Sequence, residues 1–496
     1  MNTRKKILSF SPLVMLFIML LLPLLITAQD DSLKNNYQEE FDNFKQSIQN
    51  DFETFTSKND SIFYQFLLQN WKEFELFKDQ RKTIPKPKIQ PRIDTTRTKT
   101  RYREIKPLEK RKTMLKDTGR QIQHQLTPNQ YNALLFAKRP FKLDFYGNTI
   151  LVPGVKTGPY LLDGQINKTQ IAMFFRDNSS DKVLEEAIYS LLKQASEKGY
   201  NSWGYIRLVQ EASKHYYENL NERVLFTWLA LLKTGYDAKV GYNKQNIFLL
   251  VNFDVRAFYL SYMVNDGKKY YIVPFPEQTG KQQSIVTFTA AYPVDLQPVS
   301  LVIYKNPSFP EETKEKFINY KSERIRLTYN QNMVDFYNSY PDCELPVYFP
   351  PPPSETVFKS LEVYFKPLFK EKTPTEKVAI LLDFVQMVLP YKTDEDQFGK
   401  EKYMFAEETL AANYSDCEDR AILLGQLISH FTGLNSIGLV FPGHVSLAVD
   451  LPEKIEGVYI NYRNSRYYIC DPTYIGATIG MLMPGFENKQ PEIINF

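Results

Sequence analysis

Ser415-Asp416-Cys417-Glu418-Asp419-Arg420 runs directly into Ala421-Ile422-Leu423-Leu424-Gly425-Gln426-Leu427-Ile428. Asp416 or Ser415 is placed to cap a helix whose first turn carries Cys417. Positions 417, 421, 424 and 428 share one face, so the thiol points toward a core. At a helix N-terminus the free N–H groups and the dipole favour thiolate over thiol. Glu418 and Asp419 oppose that, so a base is needed. His444 follows Pro442-Gly443 and opens a strand, Val445–Val449. A hairpin with its turn near Asn464-Ser465 then ends in Tyr467-Tyr468-Ile469-Cys470-Asp471-Pro472-Thr473. Asp471 shares a strand face with Ile469 and Tyr467, while Cys470 points the other way. A thiol nucleophile requires an imidazole to take its proton and a carboxylate to orient the imidazole.

These residues resemble the transglutaminase-like superfamily, whose core is papain-like. The carriers are Ser415-Asp416-Cys417-Glu418-Asp419, Gly443-His444-Val445 and Tyr468-Ile469-Cys470-Asp471-Pro472-Thr473-Tyr474. Tyr391-Lys392-Thr393-Asp394 and Ala406-Glu407-Glu408-Thr409-Leu410 look like the segment before the nucleophile in bacterial members. The resemblance covers about 354–485. It implies Cys417 as nucleophile, His444 as general base and acid, and Asp471 as orienting carboxylate. It also implies an oxyanion hole using the Cys417 backbone N–H, with Tyr414 or Asn413 open as second donor. Ser415 stands where the family usually has Gly.

The middle of the chain echoes this region without its chemistry. Asn221-Glu222-Arg223-Val224-Leu225-Phe226 parallels Glu418-Asp419-Arg420-Ala421-Ile422-Leu423. Gly235–Gly241 parallels Gly433–Gly438 with a one-residue slip on each side of the glycine, Asn246–Val251 parallels His444–Val449, and Lys269–Pro274 parallels Arg466–Asp471. Leu220, Asn246 and Pro274 then stand at the Cys417, His444 and Asp471 positions. The expected fold class is therefore α+β: a C-terminal transglutaminase-like domain over 354–496, preceded at 140–345 by a degenerate copy with added strands.

Working outward, Thr373-Pro374-Thr375-Glu376 is a capping box with Pro at the first helical position. A second helix is expected over 354–369, and Pro350–Pro353 marks the main boundary. Helices are expected around 183–192, 205–217 and 222–233, the last capped by Gly235. Strands are expected at 246–253, 269–273, 284–290, 300–304 and 323–329. From Phe41 to Phe77 the apolar spacing is helical, giving an amphipathic arm over 29–77 suited either to a partner or to packing on the chain itself. Residues 78–120 carry sixteen basic and five acidic groups with four prolines. They read as an extended, flexible linker, with contact to anionic lipid head groups, or to the acidic arm before it, as the sharper alternative. Arg4, Lys5 and Lys6 before the apolar run Leu13–Ile26, with Ala28 following, have the layout of an export signal over 1–28.

Composition bounds the chemistry. Three cysteines exclude a disulfide scaffold and a four-cysteine zinc site, and four histidines leave little room for a His-rich one. No cofactor or metal is expected. Cys343 is a candidate disulfide partner for Cys470 in an oxidising compartment. His430, late in the nucleophile helix, suits a dipole partner, and His124 and His215 have no motif around them. The formal charge of +4 is small, and no RNA-binding motif or zinc finger occurs, so nucleic acid is not an expected partner. The expectation is an exported thiol enzyme, periplasmic or secreted, acting on peptide or isopeptide amides by hydrolysis or acyl transfer. The alternative is a non-catalytic envelope scaffold that binds partners through the 29–77 arm.

Overall fold

The computed structural model describes residues 57–81, 86–93, 103–108, 140–154, 161–278 and 283–496. The chain divides into two units, Met1–Asp60 and Ser61–Phe496, and the second carries the fold described below. The expected signal and most of the expected arm lie outside the described residues. Among the described residues no helix is long and apolar enough to cross a membrane.

Helix α1 covers 61–69 in this unit and is followed by strands β1 (Trp71–Glu75), β2 (Phe77–Lys78), β3 (Arg103–Glu104), β4 (Phe141–Phe145) and β5 (Asn148–Val152). Four helices follow: α2 (Lys168–Ser179), α3 (Lys182–Glu197), α4 (Ser202–Tyr216) and α5 (Leu220–Lys233). A run of strands comes next: β6 (Ala238–Tyr242), β7 (Ile247–Val251), β8 (Ser261–Asn265), β9 (Lys268–Val273), β10 (Ser284–Phe288), β11 (Thr313–Tyr320) and β12 (Glu323–Asn330). The C-terminal helices are α6 (Gln331–Asn338), α7 (Glu355–Leu368), α8 (Pro374–Val388), α9 (Asp394–Phe398), α10 (Ala406–Ala411) and α11 (Cys417–Thr432). The last strands are β13 (Ser436–Phe441), β14 (His444–Asp450), β15 (Val458–Tyr462), β16 (Ser465–Cys470) and β17 (Glu492–Asn495). The fold is mixed α+β.

Two large antiparallel sheets carry the architecture. The first has order β1-β10-β6-β7-β9-β8-β2, the second β17-β13-β14-β16-β15 with β3 added in parallel at the edge. Their inner pairings correspond residue by residue. Ala238 faces Val251 as Ser436 faces Val449, and Leu249 faces Val273 as Leu447 faces Cys470. Tyr262 faces Tyr271 as Tyr459 faces Tyr468. Helix α5 packs on β6 and β7, and α11 packs on β13 and β14. Each of these helices stops at a glycine in the left-handed region, Gly235 (φ 84°) and Gly433 (φ 69°), where a side chain would be strained.

Local signals explain the helix starts. Glu376 N donates to Thr373 Oγ1 at 3.2 Å while Thr373 N donates to Glu376 Oε2 at 2.9 Å, completing the capping box of α8. Its Val378, Leu381, Leu382 and Val385 are buried, as the spacing predicts.

Several expectations need correction. Beyond residue 69 the arm is not helical, because Trp71–Lys78 joins the first sheet at both edges. Trp71 packs its ring 5.3 Å from both Phe288 and Tyr242, which extended pairing permits and a continuing helix would not. The described parts of 78–120 are docked rather than free. Ile105 N donates to Tyr459 O at 2.9 Å, Leu108 N to Pro491 O at 2.9 Å, and 86–93 is tied down as described below. Residues 300–304 form no strand, since side chains satisfy their backbone: Leu301 N reaches Asp254 Oδ1 and Val302 N reaches Ser300 Oγ, each at 3.3 Å. Pro350–Pro353 does not separate two cores. One hydrophobic cluster runs from Phe63 through Leu229 and Phe358 to Ile494. Glu407 on α10 spans the junction, accepting from Asn330 N (2.8 Å), Ser354 N (2.7 Å) and Ser354 Oγ (2.7 Å).

Candidate active site

Helix α11 starts where Asp416 N donates to Asp419 Oδ2 at 3.3 Å, which places Cys417 at the first helical position. Arg420, one turn on and 1% exposed, clamps this start to its surroundings. Its guanidinium donates to Ser415 Oγ (3.0 Å), Gln386 O (3.1 Å), Leu389 O (2.6 Å) and Pro472 O (3.5 Å). Ser415 thus serves as an anchor for Arg420.

The hairpin turn Pro442-Gly443, with Gly443 at φ 79°, delivers His444 to the first position of β14, held between β13 and β16. His444 Nε2 lies 2.8 Å from Asp471 Oδ2. The other oxygen of Asp471 accepts from Thr473 N (2.9 Å) and Tyr474 N (3.3 Å), which fixes the carboxylate. Gln386 of α8 donates to Asp471 O (3.1 Å) and Ala477 O (3.0 Å) and accepts from Gly476 N (3.0 Å). Since Arg420 donates to Gln386 O, one network joins the first turn of α11 to the strand end bearing Asp471. Cys417, His444 and Asp471 are 1%, 3% and 1% exposed.

His444 Nδ1 is buried without a hydrogen-bond partner. The Cys417 thiol donates instead to Glu418 Oε2 at 2.9 Å. The expectation that the helix terminus favours thiolate is reversed here: burial, then the Glu418 charge, pushes the thiol well above its usual range, and Lys86 offsets only part of this. The imidazole face also meets Phe486, whose ring lies 5.3 Å away.

Around the thiol is a nest of carboxyl groups. Asp394, Glu401, Asp416, Glu418 and Asp419 fall into trios whose oxygens lie within 4.8 Å of one another. That is a spacing able to hold a cation, and the Lys86 ammonium supplies one. Burial would raise Glu418, but Lys86 overturns this and holds it down to about 2. Asp394 goes the other way, pushed up to about 9 by burial and by Asp419 and Glu418. Asp416 and Asp419 are likewise raised, by burial first. Burial thus drives most of the nest toward protonation, while Lys86 favours the ionised form of Glu418.

Asn413 is exposed, and Tyr414 is 40% exposed with Lys392 over its ring at 5.1 Å; neither has a hydrogen bond into the buried triad. Tyr391 is the group that sequence reasoning missed. It bridges to Ser415, its hydroxyl is buried without a partner, and after burial the strongest influence on that hydroxyl is Cys417. Its place in Tyr391-Lys392-Thr393-Asp394 was the available signal. Lys86, Arg420 and Gln386 gave none, because the contacts that join the two sides of the site span at least 30 residues of chain.

The remaining candidates are accounted for. All three cysteines are free and buried, so no Cys343–Cys470 bridge is formed. Burial pushes the Cys343 thiol up to about 12 and raises that of Cys470 as well. His430, in the last turn of α11, stacks on Phe358 with ring centres 3.6 Å apart and meets Glu362 at 3.3 Å. The His215 ring lies tilted against Phe141 with centres 4.2 Å apart, and His124 lies outside the described residues. In the first sheet, Leu220 opens α5 as Cys417 opens α11, Asn246 precedes β7 and Pro274 follows β9. No family model, no curated protein and no solved structure matches the chain.

Proposed function

We propose that 354–496 is a transglutaminase-like thiol enzyme and that 140–345 is its degenerate copy. The observation carrying the chemistry is the buried His444–Asp471 pair, with an unpartnered Nδ1, on the strand ends tied to the helix start that bears Cys417. The duplicate reading rests on the matched registers of the two sheets and on two shared supports. Gln210 Nε2 donates to Pro274 O at 3.5 Å as Gln386 does to Asp471 O, and Arg223 donates to Tyr217 O and Glu218 O before its own helix.

In the resting site the thiol is neutral and parked on Glu418. Reaction requires it to turn from Glu418 to His444 Nδ1, which takes the proton. The thiolate attacks an amide carbonyl, a C–S bond forms, and the C–N bond breaks as His444 returns the proton to the departing amine. Water or a second amine, deprotonated by His444, then cleaves the thioester. Asp471 holds Nε2–H throughout and stabilises the imidazolium. Peptide or isopeptide hydrolysis by an exported protein is the favoured form, because water needs no second binding site. A non-catalytic scaffold role fits the first half, where all three reactive residue types are replaced.

The test is selective alkylation joined to turnover. Iodoacetamide should modify Cys417 faster than Cys343 or Cys470, and Cys417→Ala should abolish cleavage of a peptide library. Equal, slow labelling of the three thiols would favour the scaffold reading, and turnover surviving in Cys417→Ala would remove Cys417 as the nucleophile.

A further inference from the structure

The stretch 86–93, expected as free linker, lies across both arms of the site. Gln90 Nε2 donates to Gln386 O at 3.1 Å. Ile475 N donates to Pro91 O and Ile93 N donates to Ile475 O, each at 2.9 Å, in the loop just after Asp471. Ile93 also packs into the cluster of Tyr474, Ala477 and Met483. At the other end Lys86, its side chain 10% exposed, enters the carboxyl nest. Its Nζ pairs with Glu418 Oε1, with Asp416 Oδ2 at 2.7 Å, with Glu401 Oε2 at 2.7 Å and with Asp394 Oδ2 at 3.7 Å. Asp416 and Glu418 are the two neighbours of Cys417 in sequence. The same Glu418 whose Oε1 meets Lys86 accepts the Cys417 thiol on Oε2.

This geometry sets an electrostatic problem. Moving the thiol proton to His444 leaves an anionic sulfur beside an ionised Glu418 in a site closed to water. Like charges at such a distance repel strongly when solvent cannot screen them. A cation on the far oxygen of Glu418 is what makes the second negative charge tolerable. We propose that Lys86 is a positioning residue for the thiol chemistry: its ammonium, brought in by 86–93, holds Glu418 in place and cancels its charge as Cys417 becomes anionic. The inference rests on the thiol-enzyme reading above and adds a residue more than 300 positions upstream of the nucleophile.

The experiment measures the pH dependence of Cys417 alkylation by iodoacetamide, together with kcat/KM, in the full chain and three variants. Lys86→Met should raise the alkylation midpoint by at least about one pH unit, which is about tenfold less thiolate at fixed pH. Lys86→Arg should stay within about threefold of the parent. Lys86→Met combined with Glu418→Gln should recover most of the loss, because the charge that Lys86 cancels is then gone. A merely structural staple would not be rescued by removing its partner. Should Lys86→Met fail to fold, Glu418→Gln alone decides: it should lower the midpoint, and an unchanged or higher one overturns the proposal. Faster alkylation in Lys86→Met also overturns it and would make 86–93 a cover over the thiol instead. An unreactive Cys417 in the parent chain would defeat the enzyme reading itself, whereas a reactive parent with an unchanged Lys86→Met defeats this inference alone.

Discussion

Replacing Arg420 by Met tests whether one buried side chain holds the site together. Methionine fills much of the same volume but donates no hydrogen bond. Three carbonyls and one hydroxyl face the guanidinium: Gln386 O, Leu389 O, Pro472 O and Ser415 Oγ. Gln386 O keeps a second donor in Gln90. Leu389 O and Ser415 Oγ are left as the principal orphans, and each buried acceptor without a partner costs about 1–3 kcal/mol. Removing the cation spares its own desolvation, visible in the fall of its pKa to about 10 on burial, but takes its charge from the surrounding carboxyl nest. A net loss of about 3–4 kcal/mol follows, a large share of the roughly 5–15 kcal/mol that holds a domain folded. Urea denaturation followed by tryptophan fluorescence, with Trp203 and Trp228 buried as reporters, reads this directly. Arg420→Lys should recover about half, because an ammonium cannot reach all four acceptors at once. A Met variant within about 1 kcal/mol of the parent, with Cys417 alkylated at the parental rate, would refute the clamp.

Two further outcomes follow from named contacts. Asp471→Asn keeps an oxygen for Thr473 N and Tyr474 N but turns an amide N–H toward His444 Nε2, forcing the wrong tautomer. Turnover should drop about 10³–10⁴-fold while urea stability changes by less than about 1 kcal/mol, and a tenfold loss or less would remove Asp471 from the triad. Glu408, fully buried at the start of α10, is pushed up to about 7 by burial. Its raised pKa means stability is full below the unfolded value near 4.5 and is lost as pH rises through 7, by about 3 kcal/mol in all. Glu408→Gln should flatten that slope in paired unfolding curves at pH 5 and pH 7.5, and an unaltered slope would assign it to other carboxyls.

The legible parts of the sequence were those written locally. Thr373–Glu376 announced α8, the alternation of Ile325 and Leu327 announced β12, and the spacing around Cys417, His444 and Asp471 announced a helix start, a strand start and a strand end. The matched registers of the two sheets likewise follow the nearly constant spacing of helix caps and paired strands in the sequence. The illegible parts depend on partners far away in sequence. Trp71–Lys78 has apolar residues close to helical spacing, and only the open edges of a sheet around β10 and β8 make it a strand. The basic, proline-bearing stretch 78–120 reads from composition as an extended, flexible linker, and its described parts are docked. An extended chain, however, is also what β3 and the 86–93 staple require, and composition does not say whether such a chain is docked. Nor does a Glu beside a Cys reveal that a lysine from another part of the chain will neutralise it.

Comparison of the halves separates what the fold needs from what the chemistry needs. Gln210 reaches Pro274 O as Gln386 reaches Asp471 O, and Arg223, like Arg420, binds the chain just ahead of its own helix, around Leu220 and Pro274 where the Cys and Asp types are replaced. Those contacts therefore belong to the architecture. The carboxyl nest does not repeat. Opposite Asp416, Glu418 and Asp419 stand Asn219, Asn221 and Glu222, and Glu222 spends its oxygen on Leu162 N at 2.8 Å. The extended chain that borders the first sheet brings in an anion, Asp79, which meets Arg256 at 3.0 Å and pairs with Lys269. Burying five carboxyl groups around one ammonium costs stability, since burial raises Asp394, Asp416 and Asp419. A helix start of this kind folds without that cost, as α5 demonstrates with amides. Among the described residues the nest occurs only where a cysteine occupies the first helical position, so its function is to be sought in the charge state of that sulfur rather than in the stability of the helix.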